Sequence, residues 1–153
     1  TETMHVLRAE KGYVIVGQDT DGSVTFEELG LGWALSKTKD EIIGKRSLRR
    51  PDTIRKDRKQ LVCLITEDPQ KVNPEGAQLV NDPGAPMPVP MTGHVSSSYF
   101  SACCGHSIAL ALVKGGHHRM GETVYAPLSN GRVIKAEITD PVFYDKEGAQ
   151  QNV

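Results

Sequence analysis

From residue 61 onward the chain breaks into short β-rich runs, each bounded by glycine, proline or asparagine, and this punctuation limits the fold more than any other feature. Leu61–Thr66 is one such run, and Gly76–Val80 leads into a second. Gly93–Tyr99, Ser107–Val113, Glu122–Tyr125 and Arg132–Ile138 follow. Between them, residues 81–90 hold prolines at 83, 86, 88 and 90, which lack the N–H that a helix or central strand requires. Gly115-Gly116 and Ser129-Asn130-Gly131 supply turns. About six short strands at this spacing, with little helix among them, predict a small antiparallel barrel or sandwich. The tail after Pro141 reads as extended and partly exposed.

The texture upstream of residue 58 differs. Met4–Arg8 alternates loosely and Tyr13–Val16 is apolar and partly β-branched, so both read as short strands or extended segments. Asp19, Asp21 and Gly22 form a turn. Thr25 with Glu28 has capping-box spacing and predicts a helix through Leu29, loosened by Gly30 and Gly32. Trp33 and Leu35 form another short element, and Ile42–Arg50 reads as a helix stopped by Pro51. The expected organisation is therefore two-part. Residues 1–57 are the end of an α/β unit, and residues 58–153 are an antiparallel β domain, giving a mainly β chain with some α. Because Thr1 leads within a few residues into an apolar segment, a piece of a longer protein is expected.

Length and charge narrow the function classes. A chain of 153 residues with a formal net charge of -1 carries no global bias toward nucleic acid. The longest apolar stretch, Ile108–Val113, is far too short to cross a bilayer, so no membrane partner is expected. Three cysteines, two of them adjacent at 103 and 104, make no disulfide framework and fit a cytoplasmic location.

Four local patterns point toward chemistry. Gly17–Glu28 half-matches a calcium-binding EF-hand loop, with Asp19, Asp21, Gly22 and Glu28 in register. Gly17, however, stands where the first carboxylate belongs, and a turn plus a capped helix accounts for the same residues. Lys45–Lys59 holds eight basic residues against Asp52 and Asp57. Read alone, it is a solvated face, a cationic rim for a polyanionic small molecule or partner subunit, or a nucleic-acid patch. It lacks the interleaved aromatics that stack bases. Cys103, Cys104 and His106 are too close together for a usual zinc knuckle, and Ser107 lacks the framing of a nucleophile elbow, so neither metal nor catalytic residues are assigned. Glu10, followed by Gly12, is either a pocket carboxylate or a surface turn residue.

Several ordered segments together resemble the aminomethyltransferase family. They are Leu7–Tyr13 (LRAEKGY), Gly17–Gly22, Thr25–Ser36 (TFEELGLGWALS), Ile42–Arg50 (IIGKRSLRR), Arg58–Leu64 (RKQLVCL), Pro74–Val80 (PEGAQLV) and Gly93–Gly116. This family includes the glycine cleavage T protein, dimethylglycine dehydrogenases and the alpha subunit of heterotetrameric sarcosine oxidase. The segments GETVYAPL, from Gly121, and PVFYD, from Pro141, resemble the last of these branches. The resemblance implies a three-lobed α/β folate-binding structure, of which residues 1–57 are the final stretch, followed by a β barrel. It implies tetrahydrofolate as cofactor and an enzyme that oxidises sarcosine and hands the one-carbon unit to folate, yielding glycine, 5,10-methylenetetrahydrofolate and hydrogen peroxide.

The resemblance also implies FAD, FMN and NAD sites outside this segment, and as partners the remainder of the alpha subunit with beta, gamma and delta subunits. Glu10 matches the glutamate of the family's L-R-x-E motif, which contacts the pterin ring. Tyr13 follows where relatives often have a less bulky residue, so its ring is a candidate for stacking that the resemblance itself does not imply. Lys37 and Lys39 fall near one basic position that meets the anionic folate tail, and Arg58 and Lys59 near another. Cys103 and Cys104 depart from the family pattern and read as packing residues. The segment alone is expected to have no oxidase activity. The rival readings are a T-protein-like or dimethylglycine dehydrogenase-like enzyme, an independent module that binds nucleic acid through Lys45–Lys59, and a purely structural domain.

Overall fold

The computed structural model describes residues 2–151. Six strands close into an antiparallel barrel: β1 (Lys59–Thr66), β2 (Gln78–Val80), β3 (Met91–Ser101), β4 (His106–Lys114), β5 (Thr123–Pro127) and β6 (Val133–Thr139). Around the barrel the order is β1-β4-β3-β2-β5-β6, with β6 returning to pair with β1. Each of the six runs marked by turn residues is a strand, and between the two architectures that the spacing permits, the chain adopts the barrel.

Two strand patterns show how the barrel is covered. β6 alternates: Ile134, Ala136 and Ile138 are buried, whereas Val133, Lys135 and Glu137 are exposed. One of its faces meets the core and the other meets water. β1 and β4 are instead buried on both faces. Val62, Leu64, Ala109, Ala111 and Val113 join the cluster that fills the barrel. Leu61, Cys63, Leu110 and Leu112 form a second cluster outside it, against Val14, Val24, Leu29 and Phe143. The unbroken apolar run at 108–113 thus reflects an outer layer supplied by the first thirty residues and the tail. Small side chains at Ala109, Ala111, Ala126 and Ala136 suit the narrow interior. Gly93 is required where β3 meets β4, because a Cβ there would lie 2.4 Å from the Leu112 carbonyl oxygen.

The segment before the barrel departs from expectation in its elements. Residues expected to be extended at 4–8 belong instead to helix α1 (Glu2–Glu10), which rests on β3 and β4. A stretch of five residues is too short for its apolar spacing to separate a period of two from 3.6, and packing on the barrel decides it. Tyr13–Val16 forms no strand; Val16 makes only an isolated bridge with Thr20. The predicted capping box exists, with Glu28 Oε2 accepting from Thr25 N–H at 2.7 Å and Thr25 Oγ1 accepting from Glu28 N–H at 3.3 Å. It closes a single turn, since Gly30 adopts φ 73° immediately beyond it. The helix expected over 42–50 is the shorter 3-10 turn Lys45–Arg49, and Gly32–Ala34 forms another. No helix among the described residues is long and apolar enough to cross a membrane.

Candidate functional site

Glu10 ends α1 and is only 3% exposed. Its Oε1 accepts a 2.6 Å hydrogen bond from the Ser101 hydroxyl, at the last residue of β3. Ser101 Oγ in turn accepts from the Cys104 N–H at 2.9 Å, inside the turn joining β3 to β4. The Glu10 carbonyl accepts from the N–H groups of Phe143 and Tyr144 at 2.9 and 3.1 Å, which straps the tail across the helix end. Gly12 makes this crossing possible. Its φ is +70°, and a Cβ would sit 2.2 Å from the Pro141 carbonyl oxygen. Glu10 is therefore not an exposed surface residue. Its second oxygen, Oε2, has no hydrogen-bond partner among the described residues. Tyr13, just beyond, is 60% exposed, and only its carbonyl is engaged, by Arg8 at 3.1 Å.

Beside Glu10 lies a buried ionic network. Asp19 is 1% exposed and pairs with the Arg8 guanidinium. Its carboxylate also accepts from Ile15 N–H at 2.8 Å, Ser96 Oγ at 2.5 Å and Ser97 Oγ at 2.6 Å. Two consecutive serines reach one carboxylate because a register shift between Val95 and Ser97 bulges the strand there. Burial by itself pushes the Asp19 carboxyl up, but the Ile15 amide, the two hydroxyls and Arg8 outweigh it and hold it below 3.8. Arg8 also donates to Ser97 Oγ at 2.6 Å and Tyr99 OH at 3.2 Å, with its guanidinium 5.7 Å from the Tyr99 ring centre.

A second network closes the other end of β1. Arg58 grips Glu28 through two nitrogens, donates to Asp52 at 2.5 Å and also bonds the Ser23 carbonyl. Burial raises the Glu28 carboxyl, and Arg58 together with the Thr25 amide more than offsets this. Lys59 Nζ lies 3.1 Å from His94 Nδ1. The Lys59 ammonium can only donate, so Nδ1 is the acceptor of this bond. Burial and the Lys59 charge lower the His94 pKa from its ordinary value, against the weaker pull of Asp21. These residues line two adjoining clefts of about 570 and 500 Å³, with Arg58 and Asp21–Val24 near their junction.

The residues singled out from the sequence therefore fall into separate places. Arg58 and Lys59 share the cleft end of β1, and Lys59 meets β3 at His94. Glu10 meets β3 at Ser101, roughly 20 Å away at about 3.3 Å per strand residue. Lys37 and Lys39 stay on the exposed loop between the two 3-10 turns and line neither cleft. The carboxylates of the half-matched calcium loop are engaged apart from one another: Asp19 by Arg8, Asp21 by Ser23, Glu28 by Arg58. Among the described residues no cluster of His, Cys, Asp and Glu could hold a metal. Within the basic run, Arg55 is paired with Asp52 and Asp57, and Arg58 with Glu28 and Asp52. Cys63, Cys103 and Cys104 are free thiols. Sequence reasoning missed Arg8, Ser96, Ser97 and Ser101. The run of three consecutive serines at 96–98, polar and buried on β3, is the one signal that could have pointed to them.

The chain is similar to known proteins along nearly its whole length. Residues 59–145 match the glycine cleavage T-protein C-terminal barrel domain. The sarcosine oxidase subunit alpha of Corynebacterium sp. (strain P-1) is 47% identical over 154 residues, covering 99% of this chain and 16% of that protein. The subunit alpha of Rhizobium meliloti (strain 1021) is 35% identical over 153 residues, covering 99% of this chain and 15% of its own length. An aminomethyltransferase of Thermotoga petrophila is 29% identical over 139 residues, covering 91% and 35%. The crystal structure of glycine cleavage system aminomethyltransferase T from Bartonella henselae matches with a TM-score of 0.77 at 21% identity, over 93% of this chain and 38% of that one, which shows the shared fold. The chain spans about a sixth of the length of the sarcosine oxidase alpha subunits it resembles.

Proposed function

Because the chain belongs to the family of the glycine cleavage T-protein C-terminal barrel domain, we propose that it serves as the carboxyl-terminal part of a sarcosine oxidase alpha subunit and closes one side of a tetrahydrofolate channel. The observation that carries this reading is the 47% identity to such a subunit through 99% of the chain, against 29% for the aminomethyltransferase above. In this division residues 1–57 end the folate-binding lobes and residues 58–153 form the barrel that buttresses them. The partners are the rest of the alpha subunit and the beta, gamma and delta subunits, in the cytoplasm. FAD, FMN and NAD are bound by those other parts.

Glu10 fits the cofactor. It is a buried carboxylate with one oxygen held by Ser101 and the other without a partner, able to accept from the amino and ring N–H groups of a pterin. Tetrahydrofolate, when bound, supplies the acceptor amines that take the one-carbon unit from oxidised sarcosine as 5,10-methylenetetrahydrofolate. This chain's residues bind and orient: Glu10 fixes the ring, and Tyr13 offers an exposed aromatic face beside it. Toward the tail, Lys59, Lys37 and Lys39 carry positive charge for the glutamyl carboxylates. Arg58, gripped by Glu28 and Asp52, shapes the cleft wall more than it offers free charge.

The test uses the full-length protein that carries this segment. Sarcosine-dependent hydrogen peroxide is expected, with the one-carbon unit captured by tetrahydrofolate. One-carbon transfer with no oxygen consumption would replace this reading with that of a T-protein-like aminomethyltransferase. Glu10→Gln is expected to weaken tetrahydrofolate at least about tenfold, or roughly 1.4 kcal/mol. Unchanged affinity would remove Glu10 from the site.

A further inference from the structure

We infer that Ser101 is a positioning residue for Glu10, oriented by the Cys104 amide, so that the β3–β4 turn sets the acceptor that meets the pterin; this rests on the reading of Glu10 just given. The place Glu10 occupies is unfavourable for a carboxylate. It is the last residue of α1, where the helix presents its partially negative carbonyl end. It is also 3% exposed overall, so most of the side chain is shielded from the water that would stabilise charge, although the unpartnered Oε2 is not among the fully buried polar atoms and keeps some access. A donor fixed by the fold must compensate, and the Ser101 hydroxyl at 2.6 Å is the hydrogen-bond donor its side chain has among the described residues.

The hydroxyl carries one proton and could in principle turn it elsewhere. Cys104 prevents that. Its N–H donates to Ser101 Oγ at 2.9 Å, occupying an acceptor direction and leaving the proton to point at Glu10 Oε1. Ser101 is fully buried, so water does not compete. The turn that supplies the Cys104 amide ends on Gly105 at φ 64°, between the paired residues Ser101 and His106. At the main chain, the Phe143 and Tyr144 N–H groups hold the Glu10 carbonyl. Side chain and backbone of Glu10 are thus fixed from two elements far away in sequence, while Oε2 is left to a ligand. Ordering the acceptor before binding removes an entropy cost from the binding step.

A double-mutant cycle in the full-length protein tests this, reading the dissociation constant for tetrahydrofolate in the parent, Ser101→Ala, Glu10→Ala and the double variant. Ser101→Ala should weaken binding about tenfold, as expected for loss of a charge-assisted hydrogen bond. It should have little further effect in the Glu10→Ala background, because a positioning residue has nothing left to position. Equal losses in both backgrounds would show that Ser101 acts through the turn alone and would overturn the inference, as would unchanged binding in Ser101→Ala. If Glu10→Ala itself binds normally, the assignment of Glu10 fails and this inference falls with it. That outcome is recognisable because it involves no change at Ser101.

Discussion

Arg8 and Asp19 meet across the outer face of β3, and their pairing is the most consequential contact of the N-terminal segment. Asp19 has no exposure in its side chain, and Arg8 only 12%. Removing Arg8 would leave a buried carboxylate with hydroxyls and one amide but no counter-charge. Arg8→Met is therefore expected to cost about 3 kcal/mol, the range seen when one partner of a buried pair is lost, measured by denaturant unfolding. The acid limb carries the same signature. The Asp19 carboxyl is held below its ordinary 3.8, so its stabilising contribution is complete above that value and fades as pH falls through the lower folded-state value. Asp19→Asn should flatten stability against pH in the region below about 4. An unaltered acid limb would mean the carboxylate is not ionised in the folded protein.

The outer layer of the barrel decides whether the first thirty residues are attached or trailing. Leu110 and Leu112 project outward from β4 and meet Val14, Val24, Leu29 and Phe143, while Ala109 and Ala111, which alternate with them, face the interior. Leu110→Ala should cost about 2–5 kcal/mol. It should also raise amide exchange in residues 13–31 more than in β5 and β6, which have no part in that cluster. Uniform acceleration across the barrel would show that the outer layer is not a separable unit. These strands were legible because strand signals are local: β-branched runs between glycines, prolines and asparagines. α1 was not, because five residues hold little periodicity and its helical state comes from lying on β3 and β4. The capping box was read correctly as a contact and too generously as a helix, since Gly30 ends the turn it begins.

At the scale of the whole molecule, the chain spans about a sixth of the length of the sarcosine oxidase alpha subunits it resembles, and on the function proposed above it would hold only part of a folate site. Alone it is expected to show no sarcosine oxidation and to bind tetrahydrofolate with millimolar affinity at best, about 4 kcal/mol. A flat ring needs convergent groups on both faces, and on the function proposed above this segment would offer the ring only Glu10 and Tyr13. Anaerobic calorimetry measures this directly, and a low-micromolar constant abolished by Glu10→Gln would show a complete site here. By itself the sequence determined the six strands, their turns and, through ordered motifs, the family and the interest of Glu10, because each is written in neighbouring residues. It left open barrel or sandwich from spacing, and whether Glu10 is exposed or buried. Only the tertiary structure decided those. Closure is a pairing of β6 with β1, and the burial of Glu10 comes from Ser101, 91 positions away, and from a tail that crosses at Gly12. Contacts of such separation leave no local pattern in the chain, since their energy exists only once the barrel has brought the partners together.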